Sequence, residues 1–556
     1  MKHISLLSKL AVVIAAGAMA AGCDNRLNGS LSDGGNIIQQ KTSISFDDAP
    51  LTKALTAAGV KTFAPGDMIA VVYTDTNGQT ATYITQPLTA EDIHNDGRTA
   101  DINVTLTNPQ PNGDLTYVYP SLYYSGNKVD YGLLTGQLGS VDELGNRLDL
   151  ALYEGKLTAE AELPASATLV NPLAILELHF LNADGSCEIT NGIKQFKLSD
   201  GSRSYTVRPY ANEFDGAAYV AMLPVRSDQT LTFTFWGSDV PTVVTGKTLE
   251  AGHIYPVGLK IGAVVNLDEV TSTDANGQKF YAAQCGDVLS NENEESMYVT
   301  VADEAVVTLN TVCFHASEHS DHAPIHCFGN ATLILSGDSV NSVSGGWNNG
   351  WSTVYVPDRH TLTISGTGYL SADSSNGTGA GIGAGYDSAS NTPHDCGNIV
   401  ITGGTIRAEG GSQAAGIGST VNSKCGDIII SGGIILLAGG GTYGAGIGTG
   451  PGGTCGNITI SGGRIGNEPD DPFFHYQGAR GGFYAAGIGC GNKGKCGLIT
   501  IGAGVESVTV TIAKQNNGLQ FIGQSAPWDK CADVVIEDGI ELLVSEEKMV
   551  VYGHRE

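Results

Sequence analysis

Cys396-Gly-Asn-Ile-Val-Ile-Thr-Gly-Gly404 returns as Cys425-Gly-Asp-Ile-Ile-Ile-Ser-Gly-Gly433 and again as Cys455-Gly-Asn-Ile-Thr-Ile-Ser-Gly-Gly463. A shorter copy follows at Cys496-Gly-Leu-Ile499 and a decayed one at Cys531-Ala-Asp-Val534. A second signal, Ala-Gly-Ile-Gly, starts at Ala380, Ala415, Ala445 and Ala486. The copies lie about thirty residues apart, one interval being stretched to about forty, and internal repetition on that scale outranks any local pattern. Short Ile-rich runs closed by glycine pairs fit one turn of a parallel β-helix, with glycine supplying positive φ at the corners. Each turn could bury its isoleucines only against its neighbours.

Working back from the repeat, Ala331–Gly337 and Thr361–Gly366 read as earlier, weaker coils, so the solenoid is expected to begin between Gly277 and Ala305. It is assigned to 263–504, and the more charged 505–556 is expected to cap its open end. Before Gly262 the sequence changes character. Thr42–Phe46, Met68–Tyr73, Ile102–Leu106, Leu115–Tyr119, Ala174–Phe180, Tyr219–Leu223 and Leu231–Phe235 alternate apolar and polar with period two. Gly/Asn/Asp/Pro clusters separate them, as in antiparallel sandwiches. A seam near 155 divides this part into 42–155 and 156–262. The fold class is therefore all-β.

At the start, Lys2 and Lys9 flank an apolar run, Leu10–Ala21, too short to span a bilayer as a helix. Ala20-Ala21-Gly22-Cys23 reads as a lipobox, making 1–22 a signal peptide, Cys23 the lipidated residue and 23–41 a tether; ordinary secretory cleavage is the other reading. Lipid on Cys23 would make a membrane the first partner. With 57 acidic against 29 basic residues the net charge is −28, a balance that repels phosphate and removes nucleic acid as a partner.

Thr62-Phe-Ala-Pro-Gly-Asp-Met-Ile-Ala-Val71, Tyr117-Val-Tyr-Pro120, the strand Leu173–Leu181 with its central His179, and Leu249-Glu-Ala-Gly-His-Ile-Tyr255 resemble the fimbrillin-like proteins of Gram-negative anaerobes. That resemblance covers about 42–262. It implies two transthyretin-like β-sandwiches behind a lipoprotein signal, at the outer membrane and exposed on the cell surface, with other fimbrial subunits as partners. Polymerising members lose their first strand by cleavage after a basic residue. Here Arg26 lies too near Cys23 to release one, Lys41 is the only other nearby candidate, and the chain runs on past Gly262. These departures favour a tip or accessory subunit over a repeating stalk. The second half, about 276–540, resembles the glycine-rich β-helical regions called carbohydrate-binding domains in surface proteins of gut bacteria, which implies contact with a glycan or host receptor.

Candidate sites are set by side-chain chemistry. Trp347 and Trp351 stand in a Gly/Asn loop, and Phe473, Phe474 and Tyr476 in the insertion that lengthens one coil. Such rings stack on sugar faces while amides bond hydroxyls, or else they pack down on a neighbouring coil. His315, His319, His322 and His326 crowd between Cys313 and Cys327; neutral imidazoles suit zinc or copper, but a polar loop insertion looks the same, and the two cysteines could close the loop as a disulfide. The repeat cysteines stack either as an inward thiol column or as disulfide pairs. Polysaccharide lyases and hydrolases also use β-helices, but Asp373, Asp395, Glu409 and Asp427 are scattered, without the paired carboxylates such chemistry needs. The expectation is a non-enzymatic adhesin with no cofactor; the alternatives are a glycan-degrading enzyme and a purely structural subunit.

Overall fold

A computed structural model of the chain describes residues 36–47, 61–190, 193, 195–209, 216–235, 242–317, 320–345, 350–466, 478–511, 521–524, 529–537, 541–544 and 548–552. Cys23 and the signal segment lie outside them. The chain is all-β, with two sandwiches followed by a parallel β-helix. It forms two compact units, one of 1–131 with 149–172, the other of 132–148 with 173–556.

In the first unit, Ser166–Leu169, Ile37–Phe46, Thr99–Thr107 and Ile93–His94 make one sheet, in that order. Ala151–Lys156, Asp114–Tyr119, Ala70–Thr74 and Thr80–Ile84 make the other. Alternation puts Ala100, Ile102, Val104 and Leu106 of a single strand on one buried face, where they meet Ile69, Val71 and Tyr117. The expected seam near 155 is corrected. Ser166–Leu169 pairs in parallel with Ser43–Phe46 and so belongs to the first sandwich.

The second sandwich borrows from upstream instead. Gly136–Gln137 pairs with Thr206–Val207, and Gln137, only 3% exposed, both donates to Ala221 O (2.7 Å) and accepts from Ala221 N (2.9 Å). A buried side-chain amide thus bonds like an extra peptide group, which ties 132–148 to the second unit. Phe180, Phe196 and Phe235 fill its centre, with ring centroids 5.3–5.9 Å apart. Asn182 joins this sandwich to the solenoid. It is fully buried, holding Gly185 N and Cys187 N with its oxygen and donating to Ser186 Oγ and to Thr308 Oγ1.

The first rung of the β-helix is Val264–Asn266, which pairs in parallel with Val288–Ser290, next to the assigned bound at 263 and ahead of the stretch between Gly277 and Ala305. One parallel sheet of ten strands runs from there to Val534–Ile536. Within it Leu362, Ile399, Ile428, Ile458 and Ile499 form one inward column, and Ile364, Ile401, Ile430, Ile460 and Ile501 a second, all 0% exposed. Each side chain so buried is worth about 1.5–3 kcal/mol. That explains the Ile-x-Ile spacing. Parallel pairing continues into the expected cap at Ile522–Gly523, Lys530–Cys531 and Val534–Ile536, while Val505–Thr511 takes Lys548–Tyr552 as an antiparallel partner.

The third residue of the Cys-Gly-x-Ile signal has a structural task. Asn398 Oδ1 accepts from Asp427 N (2.9 Å), Asp427 Oδ1 from Asn457 N (2.7 Å), and Asn457 Oδ1 from Leu498 N (3.0 Å). Each side chain therefore caps the coil that comes after it. The glycine beside it is required because a Cβ on Gly456 would stand 2.2 Å from Asp427 Oδ1. In the second signal the last glycine sits at positive φ, +134° at Gly418 and Gly448, where a Cβ would meet the next coil's carbonyl oxygen at 2.0 Å. No helix among the described residues is long and apolar enough to cross a membrane.

Candidate functional site

Where the chain turns into the last three Ala-Gly-Ile-Gly signals, the residue two places before the alanine points to solvent. In three consecutive coils that residue is Gln413, Tyr443 and Tyr484. The rings of Tyr443 and Tyr484 are 38% and 50% exposed, lie within 7° of parallel, and have centroids 5.7 Å apart. Phe483, 42% exposed, stands beside Tyr484, and its backbone N–H bonds Thr442 O at 2.7 Å, fixing one coil on the other. The result is one aromatic ring per coil with a carboxamide next in line. None of these residues stands out in the sequence by its own chemistry, although aligning the repeats on Ala415, Ala445 and Ala486 brings them together.

Trp351 lies elsewhere, against His326 of the strand Ile325–Cys327 and Tyr355 of the strand Val354–Tyr355. Its indole stacks on His394 (3.8 Å, 17°) and meets His326 and Tyr355 edge-on, each at 4.9 Å. His322 stacks in turn on Tyr298 at 4.7 Å. Trp351 is half-buried with one face against His394, so it packs on neighbouring coils. Trp347, Phe473, Phe474 and Tyr476 lie outside the described residues. Of the four histidines considered as metal ligands, His322 and His326 are close (4.9 Å between rings) but aromatic-packed, His315 faces Glu294 at 3.3 Å, and His319 is outside the described residues. Among the described residues no group of three or more His, Cys, Asp or Glu is arranged to hold a metal. Burial, with His322 and His394 alongside, pushes the His326 imidazole down to about 3, and burial also lowers His394 despite Asp387 and Asp395 nearby.

No protein-family model matches the chain, and no curated protein does. Solved structures give weak likenesses. One is a fimbrial assembly protein from Parabacteroides distasonis, at 9% identity over 40% of this chain and 91% of that one, TM-score 0.23. Another, provisionally described as a cell adhesion protein, is from Bacteroides uniformis, at 14% identity over 40% and 92%, TM-score 0.23. A third, provisionally described as polysaccharide-binding, is from Bacteroides thetaiotaomicron, at 11% identity over 40% and 91%, TM-score 0.24. At such scores these likenesses carry no weight for function, which has to be read from the residues of the chain itself.

The repeat cysteines form an inward column in strict register, Cys425 on Cys455 on Cys496 on Cys531. Cys396, Cys425, Cys455 and Cys496 are thiols. Hydrogen bonds from one thiol to the next, then burial, hold the last three well above the usual thiol range and so keep them protonated. Cys531 is bonded instead to Cys490, which stands outside the motif. Cys313 and Cys327 are both thiols, so the disulfide considered for that loop is not formed.

Proposed function

We propose that this protein is a cell-surface adhesin, or a tip or accessory subunit of a fimbria, that is held to the outer membrane by lipid on Cys23 and contacts glycan without transforming it. The observation that carries the proposal is the exposed strip Gln413, Tyr443 and Tyr484, one side chain per coil, with two near-parallel rings. A ligand that itself repeats is met at successive rings by successive coils, which lie about 4.8 Å apart. A non-catalytic role is supported by the employment of the coil carboxylates. Asp395 and Asp427 accept backbone N–H groups of the following coil, and Asp373 and Glu409 face Arg407.

The test is a glycan array probed with the purified chain and with the double variant Tyr443→Ala, Tyr484→Ala. Ring contacts of roughly 1 kcal/mol each predict a loss of about tenfold or more in the variant. Equal binding by both would refute the strip, and release of sugar fragments from any arrayed polysaccharide would turn the reading to an enzyme.

A further inference from the structure

The first sandwich closes one end of its core over a buried lysine. Lys61, in the connection leading to Ala70–Thr74, and Asp149, just before Ala151–Lys156, have side chains only 6% and 14% exposed. Nζ of Lys61 is 2.7 Å from Asp149 Oδ1 and donates to the Asp149 backbone oxygen at 2.9 Å. The rings of Phe46 and Tyr119 lie 4.7 and 4.9 Å from the same nitrogen. Phe63 stacks on Phe46 at 4.2 Å and meets Tyr119 edge-on, which completes an aromatic wall. A third acid adjoins it. Asp67 Oδ2 accepts from Tyr119 Oη (2.8 Å) and Ala64 N (2.8 Å), and its charge acts on both Lys61 and Asp149.

A salt bridge is a poor use of such a place, because two charges must be stripped of water. Burial lowers the Lys61 ammonium and raises the Asp149 carboxyl, although each partner's charge opposes the shift. Burial thus shifts the pair towards a free amine and a protonated acid, the reactants of an amide condensation, and the fold already holds them in contact at 2.7 Å.

We propose that Lys61 and Asp149 join covalently in the mature protein as an intramolecular side-chain amide. Lys61 Nζ attacks Asp149 Cγ, the new N–C bond forms, and the bond from Cγ to the carboxyl hydroxyl breaks. That hydroxyl leaves as water, taking the proton the amine gives up, so no oxidant or cofactor is required. The aromatic wall keeps water from returning, and the link would bridge 88 residues of chain. This inference is independent of glycan contact and concerns how a surface protein resists being pulled apart.

The experiment is a tryptic digest of the full chain, purified in its folded form, read by mass spectrometry. A branched product is expected in which Ala54–Arg98, uncut at Lys61, is joined to Leu148–Lys156 and is lighter than their sum by one water. Recovery of Ala54–Lys61 and Leu148–Lys156 as separate linear peptides in full yield would overturn the proposal, with no variant needed. Lys61→Arg, whose guanidinium stays charged and cannot condense, should abolish the branched product.

Discussion

Gly418 shows how little latitude a coil corner has. Its φ of +134° and the carbonyl oxygen of Gly448, 2.0 Å from where a Cβ would stand, make Gly418→Ala both strained and clashing. Backbone strain alone amounts to about 1–3 kcal/mol. The variant should therefore lose more than about 2 kcal/mol of stability in urea unfolding, and an unchanged midpoint would mean the coils are spaced differently. His326 offers a second residue-scale prediction. Burial holds its imidazole at about 3, below the ordinary 6.5, so between those values the unfolded chain takes up a proton that the folded chain does not. Stability is then intact above about pH 6.5 and falls on acidification by about 1.4 kcal/mol per unit. Urea midpoints at pH 7, 6 and 5 should drop less steeply for His326→Gln than for the unaltered chain.

At the level of elements, the repeat was the most legible part of the sequence because its physics is local. Glycine at a corner, isoleucine at alternate positions and Asn or Asp over the next coil each depend on a neighbour one repeat away. The two sandwiches were legible as alternating strands, but their seam was not. Ser166–Leu169 pairs with a strand more than a hundred residues earlier, and the short Gly136–Gln137 strand gives no periodic signal. The disulfide was missed for a similar reason. Cys490 belongs to no repeat signal, yet the lengthened coil brings it to Cys531, while Cys496, the register partner of Cys531, stays a thiol. Closing a 41-residue separation is worth up to about 4 kcal/mol by chain entropy. Reduction, or Cys531→Ser, should lower the melting temperature of the last coils, seen as earlier hydrogen exchange at Ile499–Ile501 than at Ile399–Ile401. Equal exchange would show that the bond does not hold the end of the stack.

Across the whole molecule, the sites divide by what the repeat exposes. Trp351, His322 and His326, chosen from the sequence for their chemistry, are drawn into packing over the early coils, where the Trp351 and His394 rings lie 3.8 Å apart. Tyr443 and Tyr484, at a plain turn position among glycines and alanines, stay in solvent and stack on each other. Repetition then sets ring beside ring, and the proposed adhesive role rests on that periodicity. Hydroxyl-radical footprinting of the full chain, with and without the glycan selected on the array, tests this most directly. Protection of Tyr443, Phe483 and Tyr484, with Trp351 unchanged, is the predicted result; protection at Trp351 alone, or nowhere in the coils, would contradict it.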